Sequence, residues 1–213
     1  MNTEHLIDVL SMNLEPINRR ALRTSLAWAV VVGGAAAFCL MLGTVSLRGD
    51  LTSGTSLAFV AVKLVFALTV ISGGLAFLSR AVRPGQDART LLQLAFVPFV
   101  VVGVAAVVEL AFGLSTAPHP MTTGTQWVMC LYCIPLFAAI PFVLLVWALR
   151  LGAPTHLTRT GAMAGLVAGA VGAAAYAFHC PDDSLPFIAL WYGASIALCA
   201  AVGALVGPRV LRW

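Results

Sequence analysis

Cys130 and Cys133 stand three residues apart, and Cys180 follows His179 in the run His179-Cys180-Pro181-Asp182-Asp183-Ser184. A spacing of three puts two sulfurs on one face of a helix. Thiols so placed exchange electrons as a dithiol–disulfide couple, bind a soft metal ion, or simply fill space. A thiol at a helix N-terminus also ionises more readily, because the helix dipole favours the thiolate. Cys130, Cys133 and Cys180 with His179, and with His119 of the preceding loop, are suitable donors for a soft metal. Their spacing matches no closed zinc motif. A redox or metal-sensing pair, a structural disulfide and unrelated thiols are all open readings. No cofactor is expected beyond a soft metal bound as a signal. Cys39 and Cys199 fall in mid-helix and read as inert small apolar groups.

The elements that must position these residues are membrane spans. The 213-residue chain is 61% hydrophobic and 9% charged, whereas a soluble domain carries about 25% charged residues. A helix needs roughly 20 apolar residues to span the hydrocarbon. Six runs satisfy that length, at 26–47, 57–79, 91–113, 127–149, 160–178 and 186–206. The predicted fold is all-α, a polytopic bundle of six transmembrane helices (26–213) behind a soluble tail (1–25). The runs are continuous rather than alternating, which excludes a β-barrel. No cleavable signal peptide is expected, since the first apolar run is too long for one.

Ten of the 12 Lys and Arg residues fall in the tail, the even-numbered loops or the C-terminus. They are Arg19, Arg20, Arg23, Arg80, Arg83, Arg89, Arg150, Arg159, Arg209 and Arg212. Basic residues in short loops stay in the cytoplasm. Both termini are therefore expected inside, and the loops carrying cysteine, His and Asp outside. The net charge of +4 is then a topological signal, and no direct nucleic-acid partner is expected.

Within the spans, Gly161, Gly165, Gly169 and Ala173 form a small-residue stripe. Such a stripe lets a neighbouring helix approach closely. Packing inside the bundle is favoured, with a homodimer seam as the other use. Pro98, Pro135 and Pro141 interrupt their helices. Lys63 and Glu109 lie at similar depth near the outer ends of successive spans and are expected to pair. Asp182 and Asp183 are expected to cap the sixth helix.

The tail has its own pattern. Leu6, Ile7, Leu10 and Leu14 follow helical spacing, Thr3 is the N-cap and Pro16 ends the run. Its polar face carries Glu4, Asp8 and Asn13 without Lys or Arg. Lipid-surface helices have a basic polar face. This short amphipathic helix suits docking in a partner's groove through Leu6, Ile7, Asp8, Leu10 and Leu14; packing on its own membrane domain is the competing use.

Three blocks carry a resemblance. They are Leu6-Ile7 and Leu10 with Pro16; Cys130-Leu131, Ile134-Pro135, Pro141 and Arg150-x-Gly152-Ala153-Pro154-Thr155; and Cys180-Pro181-Asp182-Asp183-Ser184 with Phe187 and Trp191-Tyr192. Together they resemble the NrsF family, negative regulators of the sigma factor SigF. The resemblance implies a six-helix inner-membrane anti-sigma factor rather than an enzyme. It implies that the tail holds an extracytoplasmic-function sigma factor and that two outward-facing cysteines take part in sensing. By position these are Cys130 and Cys180, and Cys133 has no counterpart. Two rivals remain: a membrane thiol oxidoreductase, which usually needs two outward cysteine pairs, and a small transporter using Lys63 and Glu109.

Overall fold

The computed structural model describes residues 19–81, 89–113, 122–152, 154 and 156–212. Within them the chain forms six long helices and no strand. They are α1 (Arg19–Thr44), α2 (Gly54–Ala81), α3 (Arg89–Phe112), α4 (Trp127–Leu149), α5 (Leu157–Tyr176) and α6 (Leu185–Val210). The all-helical bundle read from hydropathy is present, and every helix overlaps its predicted run. The tail helix with Leu6, Ile7, Asp8, Leu10 and Leu14 lies outside the described residues, as does His119.

Five helices, all but α5, are long and apolar enough to cross a membrane. α5 has 20 residues, rich in Gly and Ala, with Thr158, Arg159 and Thr160 near its start. It occupies the centre, against α1, α2, α4 and α6, and is buried almost throughout from Thr160 to Tyr176. A helix that faces other helices rather than lipid does not need large apolar side chains. It needs small ones, so that backbones can approach.

The glycine stripe meets that need within one chain. A Cβ on Gly161 or Gly165 would run into the carbonyl oxygens of Gly203 and Cys199 on α6. One on Gly169 would lie 2.9 Å from Cys199 Cβ, and one on Gly172 2.9 Å from the Ala138 nitrogen of α4. At Pro141, inside α4, α1 comes close: a Cβ on Gly33 would sit 2.8 Å from its Cα. α3 is the peripheral helix, held chiefly by α2 and the first turns of α6. Val100, Val101, Val104 and Val107 face outward from it, an apolar face that suits contact with lipid.

α6 begins with a break from regular winding. Residues Ile188–Tyr192 form a π-helical turn, which fits an extra residue into the helix. The two aromatics of that turn part company. Trp191 is half-buried, donating from Nε1 to the Thr122 carbonyl at 2.8 Å and packing on Trp127 with ring centroids 4.9 Å apart. Tyr192 is buried.

The two ends of the bundle differ in charge. Among the described residues all four carboxylates, Asp50, Glu109, Asp182 and Asp183, gather at the end with Cys130 and Cys180. Arg23, Arg80, Arg150, Arg159, Arg209 and Arg212 are exposed at the opposite end.

Replacing Gly165 with Leu forces the α5–α6 backbones apart. The expected loss is about 1–3 kcal/mol or more, by the usual cost of overpacking. Thermal unfolding of the detergent-solubilised protein should show it, whereas Gly103→Ala, which meets open space, should not lower the midpoint.

Candidate functional site

The segment between α5 and α6 is anchored residue by residue. The Phe178 carbonyl accepts from the Arg48 backbone N–H at 3.1 Å. His179 places Nδ1 2.9 Å from the Ser46 carbonyl and packs its ring on Tyr176. Cys180 N–H donates to the Tyr176 carbonyl at 3.1 Å, continuing the last turn of α5. The Cys180 carbonyl accepts from Arg48 Nη1 and from Lys63 Nζ, each at 3.0 Å.

Asp183 receives the same two cations. Arg48 grips it with Nη1 at 3.0 Å and Nη2 at 2.7 Å, and Lys63 Nζ is 3.0 Å from Oδ1. Arg48 also holds Asp50, Nε to Oδ1 at 2.6 Å and Nη2 to Oδ2 at 2.8 Å. Ser56 of α2 donates to Asp50 at 2.9 Å. Arg48, then Ser56, hold the Asp50 carboxyl well below its ordinary range. Asp50 first, then Asp183, push the Arg48 guanidinium further up. Charge-assisted, two-pronged bonds of this kind are the strong ones.

The neighbouring carboxylates serve helix starts. Asp182 accepts from Thr125 N–H and Oγ1 at 3.0 Å and from Gln126 N–H at 2.8 Å. It thereby satisfies the unpaired donors at the start of α4. Gly124 makes that approach possible. Its φ is +55°, and a Cβ there would fall 2.5 Å from Phe187 and 2.8 Å from the Asp182 carboxyl carbon. Ser184 caps α6, its Oγ accepting from Phe187 N–H at 3.4 Å. Glu109 Oε2 accepts from Leu185 N–H at 2.8 Å.

Inside this frame lie the thiols. Cys130 and Cys180 are both fully buried and free of disulfides, and they lie side by side. The Cys130 carbonyl accepts from Ser195 Oγ of α6 at 3.2 Å. Tyr176 and Tyr192 close over the pair with ring centroids 6.2 Å apart. Both tyrosines are buried, and their hydroxyls reach the thiols, that of Tyr176 toward Cys130 and that of Tyr192 toward Cys180. Lys63 Nζ stands 5.9 Å from the centre of the Tyr192 ring. The Cys180 thiol is pushed down, chiefly by the hydrogen bond from Cys130; burial opposes that, and the Lys63 charge adds to it.

Several expectations from the sequence need correction. Lys63 and Glu109 do not pair. They do lie near the same end, but the 180–185 segment offers each a better partner, a carboxylate for Lys63 and a helix-start N–H for Glu109. Asp182 and Asp183 do not cap the sixth helix; Ser184 does. The N-terminus of α4 acts on the Asp182 carboxylate rather than on a cysteine. Cys133 lies one turn further along α4 and is slightly less buried than Cys130, while Cys130, Lys63 and Asp182 act on the Cys180 thiol. His179 is committed to Ser46 and Tyr176. Among the described residues no three His, Cys, Asp or Glu side chains converge on one point. Arg48, to which the sequence reading gave no role, and Asp183, which it assigned to a helix cap, hold the site together. Their signal was available: Arg48 is the basic residue that breaks the topological pattern, on the same side as Asp50 and Asp183.

Two adjacent thiols can join to each other or share one soft ligand. Either event acts on Cys180, and so on a loop tied to α1, α2, α4 and α5. Comparison with known proteins decides the family. The NrsF profile, described as "Negative regulator of sigma F", matches residues 10–213. The chain belongs to the NrsF family. It is 34% identical to the "Probable anti-sigma-F factor NrsF" of Azospira oryzae, with 100% of both chains covered. It is 30% identical to the "Anti-sigma-F factor NrsF" of Caulobacter vibrioides, again over 100% of each. No solved structure matches. In this NrsF-family chain the frame of the site is ionic, and its energetics are testable. Asp183→Asn removes one partner of the buried Lys63 and should cost about 1.5–3 kcal/mol, the range for hydrogen bonds to charged groups. The Lys63→Met/Asp183→Asn double variant should lose less than the sum of the singles, as groups in contact do. Thermal midpoints of the four proteins check it.

Proposed function

We propose that this chain is an anti-sigma factor of the bacterial cytoplasmic membrane. Its tail holds a sigma factor of the extracytoplasmic-function class on the cytoplasmic side, and its cysteine end faces the periplasm as the input. The observation that carries the reading is similarity over the whole length to relatives named as anti-sigma-F factors. The bundle agrees with it. Six exposed arginines mark one end and the buried thiol pair marks the other. Arginine-rich ends stay in the cytoplasm. α5, enclosed by four helices, crosses with them: at about 1.5 Å per residue its 20 residues cover the hydrocarbon thickness. All six helices then span, and both termini are cytoplasmic.

The stimulus is a modification of Cys130 and Cys180, by an oxidant that joins them or a soft metal ion they share. The chain contacts lipid and a sigma factor, and nucleic acid only through the latter. The chain is assigned no catalytic reaction of its own.

Two experiments test these halves. Leu6→Asp or Leu10→Asp should abolish co-purification of the sigma factor, because a charge enters an apolar groove at a cost of about 3–5 kcal/mol, the range for an uncompensated buried charge. Wild-type recovery in both variants contradicts the role of the tail. Cys130→Ser and Cys180→Ser should each leave a sigma-dependent reporter unresponsive to a thiol oxidant or cadmium; a normal response from both removes the cysteines from the pathway.

A further inference from the structure

We propose that Lys63 is the positioning residue through which the state of the Cys130–Cys180 pair reaches a membrane-spanning helix. This rests on the cysteine reading above and adds the route by which it acts. The argument begins from redundancy. Arg48 already holds both the Cys180 carbonyl and Asp183, and it does so with a geometry suited to a carboxylate. Lys63 makes contacts to the same two residues. A loop clamp needs one cation. A second, completely buried ammonium within a membrane helix is costly even when paired.

What Lys63 adds is its place in the chain. Arg48 lies in the α1–α2 loop, whereas Lys63 lies inside α2, which runs on to Arg80 at the arginine end. Its ammonium also stands over Tyr192 in the π-helical turn of α6. Turns of that kind recur at functional sites. Lys63 therefore joins three parts: the backbone of Cys180, the first turns of α6 and the body of α2. A displacement of Cys180 alters its carbonyl and the adjacent Asp183 together. Those two groups accept from the ammonium, and α2 must respond by shifting or by leaving a charge unpaired.

The test uses the full chain with its sigma factor in native membranes. Diamide, a two-electron thiol oxidant, takes the two thiol hydrogens and becomes the hydrazine, leaving a Cys130 Sγ–Cys180 Sγ bond. Peptide mass spectrometry without reduction measures that bond, and the sigma factor released is expressed per captured molecule. In Lys63→Met the bond should form while release per bond falls about tenfold, inside the range of about 5- to 150-fold for coupling between sites. Lys63→Arg, which keeps the cation, should restore most of the release. Asp183→Asn should weaken it from the loop side and serves if Lys63→Met fails to accumulate. Hydrogen exchange in the wild type gives a reading that needs no variant: amides of α2 around Lys63 should change protection when the bond forms. Lys63→Met releasing as the wild type does, or α2 exchange unmoved by the bond, overturns the inference. Wild-type membranes that form the bond and release nothing overturn the cysteine reading and this inference with it.

Discussion

Arg48 and Lys63 are both buried at the cysteine end of an apolar helical bundle and must find an anion there, and Asp183 is where they find it. Neither cation has more than a trace of its side chain exposed. Burying charge is tolerable only with close partners and filled hydrogen-bond positions. That requirement fixes the loop between α5 and α6, since the carboxylate and the Cys180 carbonyl come from one short stretch. Once the stretch is fixed, Asp182 falls on the start of α4, Leu185 N–H falls on Glu109, and Cys180 is delivered beside Cys130. The cysteine pair is thus a consequence of the ionic frame, and no convergent metal cage is needed to form it.

The centre of the bundle obeys a different constraint. α5 can serve four neighbours only if its side chains are small, and the contacts of Gly161, Gly165, Gly169 and Gly172 show how close the backbones come. Such packing leaves little freedom to shift α5 itself. A signal is more easily passed by helices at the margin of this core, where α2 meets α3 and the wide turn of α6.

The helices were legible because hydropathy over 20 residues is a strong signal in a chain with 9% charge. Their ends were legible to within a turn or two, since arginines and Pro186 mark them. That the outer cysteines converge was legible from topology, and the family resemblance singled out Cys130 and Cys180, while Cys133 stayed an alternative partner. Partner choice was not. Depth alone paired Lys63 with Glu109, but depth does not say which loop folds inward between two helices. Asp182 and Asp183 looked equivalent in the sequence, yet one caps α4 and the other neutralises two cations. The π-helical turn had no sequence signature; within it Trp191 reaches Thr122 and Trp127 while Tyr192 faces the thiols.

The most direct test of the account is where the sigma factor sits when the cysteines react. Cells carrying the wild-type chain, or the Cys130→Ser and Cys180→Ser variants, are exposed to diamide, and sigma factor is quantified in membrane and soluble fractions. The account predicts that it leaves the membrane fraction in the wild type and stays there in both variants. Sigma factor that stays bound in the wild type, or leaves equally in all three, would contradict it.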